Sequence, residues 1–273
     1  AMESLILFAR PPRAGEVKTR LIPTLGAEAG GDEGEGAERA AALYRAFLED
    51  AAAAARALRA RRPGLALIAE WTLSPGESAE DLPLAEWLPG PFRHLRQEGE
   101  NLGARMSAAL ERALGGDTVS SGVRAQAGGG GEERGGGAVL MGTDFPDLPI
   151  EIPLAAFRAL EGEAGGDALS PPRAVLGPAA DGGYFLIGLS RPAPALFENV
   201  PWGTSRVLDI TLRRLREMSI EAVLLDAWED VDDARGLAAL RRRLDDAPPA
   251  RAPRTRETLA ALSGRLPPIQ GGG

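Results

Sequence analysis

Short apolar runs, each too brief to be a helix, alternate along this chain with stretches whose apolar residues recur at helical spacing. That alternation calls for a mostly parallel β-sheet layered by helices. The runs fall at residues 5–9, 65–71, 92–97, 139–141, 174–176, 185–189 and 220–225. Between the first two, Leu43, Phe47, Ala51, Ala54 and Leu58 mark a long amphipathic helix over 37–62. Residues 26–36, rich in glycine and glutamate, read as a flexible connection before it. Further helices are expected from Met106, around 154–160, from about Thr204 and over 234–244, with a short one at 78–88 broken by Pro83. The Gly-rich segment of about 115–137 reads as a disordered insertion, and the Pro- and Arg-rich stretch 247–273 as a tail with one helical turn at 258–262. The expected folded domain is therefore 1–246.

One run stops abruptly. Val139-Leu140-Met141 gives way to Gly142-Thr143-Asp144, and Pro146 and Pro149 then forbid any ladder from continuing. A strand ending there delivers Asp144 at its carboxyl end, the edge where open α/β sheets bind ligands. The plainer reading is a turn aspartate capping the next helix.

Composition removes several chemistries. A formal charge of −8 and a pI near 5.0 argue against a nucleic-acid or anionic-membrane surface. With no cysteine, thiolate zinc sites, disulfides and a Cys nucleophile are excluded. The single histidine, His94, lies in a strand-like run without a G-x-S-x-G elbow elsewhere, so a Ser-His-Asp hydrolase is unsupported and His94 reads as structural. No apolar run approaches membrane-spanning length and the first lacks a basic flank, which leads us to expect a cytoplasmic protein.

Lys18 is the one lysine among 31 basic residues. It stands with Arg20 in a loop after the first strand, where an ammonium and a guanidinium fork can share one polyphosphate. Two cations opening a helix would oppose its dipole, which favours a ligand over a purely solvated role. Neither G-x-G-x-x-G in its proper setting nor a P-loop occurs. Magnesium needs one or two carboxylates with waters and substrate phosphates, and Asp230 and Asp232, after the last expected strand, can join Asp144 at one sheet edge. Asp233 is placed to cap the following helix. Asp181-Gly182-Gly183 offers an acid on a turn that tolerates close ligand approach, and Tyr184 and Trp202 are candidates for an acceptor pocket or for packing plugs.

Together, Phe8-Ala9-Arg10-Pro11, Gly15-x-Val17-Lys18-Thr19-Arg20-Leu21, Gln97 with Leu102-Gly103-x-Arg105-Met106, Gly142-Thr143-Asp144-x-Pro146-x-Leu148, Gly177-Pro178-x-x-Asp181-Gly182-Gly183-Tyr184 and Pro201-Trp202-Gly203 resemble the uncharacterised DUF2064 proteins. Those belong to the nucleotide-diphospho-sugar transferase superfamily, and the Lys-Thr-Arg-Leu loop is also similar to that of the 2-phospholactate and phosphoenolpyruvate guanylyltransferases. The resemblance implies a Rossmann-like GT-A three-layer αβα sandwich. It further implies a Mg²⁺- or Mn²⁺-dependent transferase binding an NTP or NDP-sugar through Ala9, Arg10, Gly15, Lys18, Arg20, Gln97, Gly103 and Arg105. Lys18, Arg20 and Asp144 would be catalytic, Asp144, Asp232 and Asp230 would hold the metal, and Asp181, Gly182, Gly183, Tyr184 and Trp202 would meet a small-molecule acceptor. The expected reaction is nucleotidyl transfer to a small phosphorylated acceptor, with glycosyl transfer to a hydroxyl and a nucleotide-binding module without turnover as alternatives. A homo-oligomer is compatible with this reading. Two departures from the pattern stand out: Asn101 replaces an acid, and Asp233-Ala234-Arg235-Gly236 replaces a Thr-Pro-Glu-Asp segment.

Overall fold

Residues 3–115, 136–161 and 171–263 are described by a computed structural model, in which the first strand, β1 (Ser4–Ala9), is also a central one. Its buried apolar side chains serve both faces of the sheet: Leu5, Leu7 and Ala9 pack to one side and Ile6 to the other. A strand covered on both faces needs such a continuous apolar run. Beside it lie β2 (Ala66–Trp71) and, beyond that, β3 (Phe92–Arg96). On its other flank come β4 (Ala138–Gly142), β6 (Tyr184–Leu189), β5 (Arg173–Pro178) and β7 (Glu221–Leu224).

The sheet order is β3-β2-β1-β4-β6-β5-β7. Six strands run one way and β6, antiparallel to both neighbours, runs the other. Leu5 sits in register between Leu67 of β2 and Val139 of β4. The chain winds outward from β1 to β3, then returns to the opposite side of β1 through β4. That reversal opens a crevice outside the carboxyl ends of β1 and β4, which is where such sheets take ligands.

One face of the sheet is covered by α1 (Ile22–Ala29), α2 (Glu33–Arg61), α3 (Leu84–Trp87), α5 (Glu151–Glu161), α7 (Ala234–Asp246) and α8 (Pro253–Leu262). The other carries α4 (Leu102–Gly115) and α6 (Val207–Glu217). The expected three-layer αβα order is therefore present. Among the described residues, no helix is long and apolar enough to cross a membrane.

Two expectations are corrected here. Residues 26–36 are not a flexible connection: α1 ends at Gly30 in the left-handed region, and α2 begins at Glu33 with Asp32 accepting the Glu35 N–H at 2.9 Å. The glycines that suggested flexibility are contact points between the two helices. A Cβ on Gly36 would meet the Ile22 carbonyl oxygen at 2.4 Å, and one on Gly26 would meet the Asp32 carbonyl oxygen at 3.0 Å. Gly36→Ala should therefore destabilise the fold by about 1–3 kcal/mol through overpacking, although alanine is the better helix former. Gly34→Ala on the exposed side of the same turn is the control, and urea unfolding of both variants reads the difference. Equal stability of the two would show that the crossing is not tight.

The tail carries more than one helical turn. Helix α8 lies against α2, and the buried Asp50 carboxylate caps it by accepting the backbone N–H groups of Arg254 (3.1 Å) and Thr255 (2.8 Å) and the Thr255 hydroxyl (2.7 Å). Its cap comes from another helix, and the local start signal is reduced to Pro253 at the first helical position. The expected insertion at 115–137 falls almost wholly outside the described residues, as does the end of the tail.

Candidate active site

All the loops that leave the carboxyl ends of the forward-running strands meet at one rim, joined there by the start of β6. They enclose a cleft of about 630 Å³. Thr72 and Gln97 follow β2 and β3, Thr143 and Asp144 follow β4, Asp181 follows β5, and Asp230 and Asp232 follow β7.

Lys18 reaches in from the β1 loop with only 4% of its side chain exposed. Its Nζ lies 2.5 Å from Asp144 Oδ1 and 2.7 Å from Asp232 Oδ1, and sits over the rings of Tyr44 and Phe47 at 5.6 and 5.8 Å. Burial disfavours the charged ammonium, but Asp144 and Asp232 outweigh it and hold the lysine above its ordinary pKa. The residue takes a left-handed backbone (φ 49°), a conformation that costs a non-glycine residue energy and is held here by the surrounding contacts.

Partial burial works to raise the half-exposed Asp232 carboxyl, yet Lys18 keeps it below the ordinary aspartate range. Asp230 moves the opposite way, pushed up to about 6 by burial and by the nearby charges of Asp232, Asp181 and Asp144. The two acids of the β7 loop thus share a protonation equilibrium, as closely spaced carboxylates do. Val231 between them is buried, and its N–H donates to the Asp144 carbonyl at 3.1 Å, pinning the β7 loop to the β4 loop.

Thr143 and Tyr44 brace this centre from below. The Tyr44 hydroxyl and Thr143 Oγ1 lie 2.9 Å apart, Tyr44 accepts the Arg10 N–H at 3.1 Å, and Thr143 donates to the Phe8 carbonyl at 3.2 Å. Burial and the Asp144 charge push the Tyr44 hydroxyl up to about 12, so it stays a neutral donor. Tyr44 escaped the sequence reading because it falls in the apolar stripe of α2. A phenol in such a stripe needs a polar partner when buried, and that was the available signal.

Asp144 does not cap α5, which opens at Glu151. The neighbouring Asp147 is structural: Arg243 grips it at 2.6 and 3.1 Å and it lies almost wholly buried. Asp233 caps α7 as expected, accepting the Gly236 N–H at 2.9 Å. Gly236 lets that helix approach, since a Cβ there would meet the Asp230 carbonyl oxygen at 2.5 Å. Asn101, in place of the expected acid, caps α4 by accepting the Ala104 N–H at 3.0 Å.

Ala9, Arg10, Arg20, Gln97 and Arg105 line the cleft, as do Asp181, Gly183, Tyr184 and Trp202. Gln97 also serves the protein, accepting from Thr72 Oγ1 at 2.9 Å and donating to the Glu70 carbonyl at 3.0 Å. Gly15, Gly103 and Gly182 are not among the residues that line it. Gly15 turns the loop at φ 78°. A Cβ on Gly103 would strike the Phe197 carbonyl oxygen at 2.5 Å and Trp202 Nε1 at 2.7 Å, and one on Gly182 would strike the Ser205 carbonyl oxygen at 2.3 Å. Both are packing glycines. His94 is structural too: its Nδ1 accepts from Trp71 Nε1 at 3.1 Å, and burial lowers its pKa.

Beneath Gln97, the Glu70 side chain is buried beside Arg112, with Oε2 lacking a hydrogen-bond partner. Burial outweighs the arginine and raises its carboxyl to about 7. A carboxyl raised on folding leaves the native state holding a proton that the unfolded chain has lost, so its contribution to stability falls between the unfolded value of 4.5 and about 7, and is flat above. The wild type should lose about 1–3 kcal/mol over that window, and Glu70→Gln should lose less. Asp230 acts with the same sign, so the comparison of the two proteins in urea at pH 5 and 7.5 isolates Glu70. Parallel pH profiles would show that Arg112 holds Glu70 ionised.

A divalent ion fits this donor set in a limited way. Among the described residues, no three acidic, histidine or cysteine side chains form a ready-made cage. Two carboxylate oxygens within 2.7 Å of one ammonium nitrogen do provide the pair of acids that magnesium uses together with waters and phosphates.

Residues 54–204 match the model of a family of uncharacterized proteins conserved in bacteria, DUF2064. Among solved structures, a candidate nucleotide-diphospho-sugar transferase from Desulfovibrio desulfuricans G20 shares 28% sequence identity, with 96% of this chain and 97% of that one covered and a TM-score of 0.70. A 4-diphosphocytidyl-2C-methyl-D-erythritol synthase aligns over 90% of this chain and 99% of its own at 10% identity and a TM-score of 0.44, a distance that carries no argument. No curated protein matches the chain.

Proposed function

The chain belongs to the DUF2064 family and has the Rossmann-like GT-A architecture, and from that premise we propose a divalent-metal-dependent transferase acting on a nucleotide-activated donor. The observation that carries this reading is the convergence of Lys18, Asp144 and Asp232, from three separate loops, at the switch point of the sheet. In this reading Asp144 and Asp232, with Asp230 beside them, hold Mg²⁺ or Mn²⁺, whose charge supplies neutralisation of a departing phosphate. Lys18 and Arg20 add positive charge to the same phosphates, while Arg10 and Arg105 extend the cationic lining toward the β1 and β3 side. Tyr44 and Thr143 keep the β4 loop from shifting as charge develops.

Two bonds are open to these parts. In nucleotidyl transfer an acceptor phosphate attacks the α-phosphorus of an NTP, which the Lys18-Thr19-Arg20 loop favours. In glycosyl transfer an acceptor hydroxyl attacks the anomeric carbon of an NDP-sugar, which the name of the Desulfovibrio protein favours. Titration calorimetry with GTP, CTP and UDP-glucose, each with and without MgCl₂, tests the common premise and separates the two. Magnesium-dependent binding of a triphosphate points to the first reaction and of the nucleotide sugar to the second. Absence of binding across a full panel of NTPs and NDP-sugars would sink the proposal.

A further inference from the structure

Lys18 enters the cleft from the protein side. Its side chain is buried, whereas Asp144 and Asp232 are partly exposed, so each acid turns one edge to the lysine and another to solvent. An ammonium has three donors and no acceptor. Here Nζ lies within bonding distance of Asp144 Oδ1 (2.5 Å) and Asp232 Oδ1 (2.7 Å) and faces the rings of Tyr44 and Phe47. The β4 and β7 loops that carry the acids are tied together by the Val231 N–H on the Asp144 carbonyl at 3.1 Å. The flexible four-carbon stem of the lysine is therefore the part best able to move.

These are the two carboxylates that the proposed function gives to a divalent ion, and the ammonium already draws on both. Magnesium sits about 2.1 Å from a carboxylate oxygen, so an ion on the oxygens that hold Lys18 would stand within about 5 Å of Nζ. Two cations that close, partly shielded from water, repel strongly. A phosphate chain removes the conflict, because its oxygens can accept the ammonium's hydrogen bonds and chelate the ion as well. We propose that Lys18 is a tethered counter-ion in the metal's seat: it bars divalent ions from the free protein, and a nucleotide opens the seat by drawing the ammonium onto its phosphates. This rests on the nucleotide reading of the cleft and adds an order of binding to it. The nucleotide carries its ion in as a chelate, and a nucleoside without phosphates leaves the seat closed.

Electron paramagnetic resonance of free Mn²⁺, titrated into the full chain without nucleotide, tests the first half. Lys18→Met should bind the ion at least about tenfold more tightly than wild type, and Lys18→Arg, which keeps the charge, should stay near wild type. Adding Asp144→Asn to Lys18→Met should abolish the gain. Thermal unfolding identifies folded variants, and Lys18→Gln, which keeps a polar end, replaces the methionine variant if that one is unfolded. A wild type that binds Mn²⁺ as tightly as the folded neutral variant would overturn the inference. For the second half, enhancement of water proton relaxation by protein-bound Mn²⁺ should appear in wild type with GDP or UDP and not with guanosine or uridine. Enhancement of equal size with the nucleosides would also overturn it. The first comparison contains no nucleotide, so if wild type binds no NTP or NDP-sugar in MgCl₂, that failure belongs to the proposed function and not to the lysine.

Discussion

Replacing Lys18 with methionine should lower stability by about 1–3 kcal/mol and weaken nucleotide binding by at least about tenfold. Methionine keeps the length of the stem and removes the charge, leaving Asp144 and Asp232 facing each other and Asp230 without a cation. The cost stays below that of a fully buried pair because the two acids retain 36% and 48% exposure of their side chains. The backbone supplies an internal control. Since residue 18 is left-handed, Lys18→Gly should be more stable than Lys18→Ala by about 1 kcal/mol, whereas a right-handed site would give the reverse order. The pH dependence has a definite sign. Lysine raised above 10.5 contributes fully below that value and is lost only at higher pH, while Asp232, depressed below 3.8, contributes above 3.8 and is lost on acidification. The triad therefore stays intact through neutrality. Urea unfolding and calorimetry of the three variants check this, and a Lys18→Met protein as stable and as tightly binding as wild type would remove the lysine from the site.

Asp144→Ala should have the larger effect on binding and the smaller one on folding. The residue is partly exposed, and Lys18 keeps Asp232 as a partner, so the melting temperature should fall by only a few degrees. The magnesium-dependent part of nucleotide affinity should fall on the order of 100-fold, toward the value measured in EDTA. Asp232→Ala should lose less, because Asp230 stands beside it. Calorimetry with and without MgCl₂ decides the matter. An Asp144→Ala protein whose affinity still responds fully to magnesium would show that the ion is held elsewhere.

Much of this was legible in the sequence because parallel strands buried on both faces must be apolar throughout, and each carboxyl end must then break into loop. The run before Gly142 located β4, and the isolated lysine located the β1 loop. What escaped was information carried between distant segments. Gly26 and Gly36 resemble linker glycines until the helix crossing is seen, and α8 owes its start to Asp50, some two hundred positions earlier. Gly103 and Gly182 sit in motifs that suggest ligand contact, yet their missing side chains make room for Trp202 and Ser205. Tyr44 was hidden because helical spacing reports which face is buried, not what its one hydroxyl touches.

The ion pair between Lys18 and Asp232 spans 214 positions of the chain. As the polypeptide leaves the ribosome, the amino-terminal strand that is to lie mid-sheet appears long before β7, and the lysine that follows it meets Asp144 midway but must wait for its second counter-charge until the chain is nearly finished. Premature termination anywhere before that last loop would leave the ammonium with Asp144 as its one carboxylate of the pair. Competence to bind should therefore arrive in one step, late in synthesis.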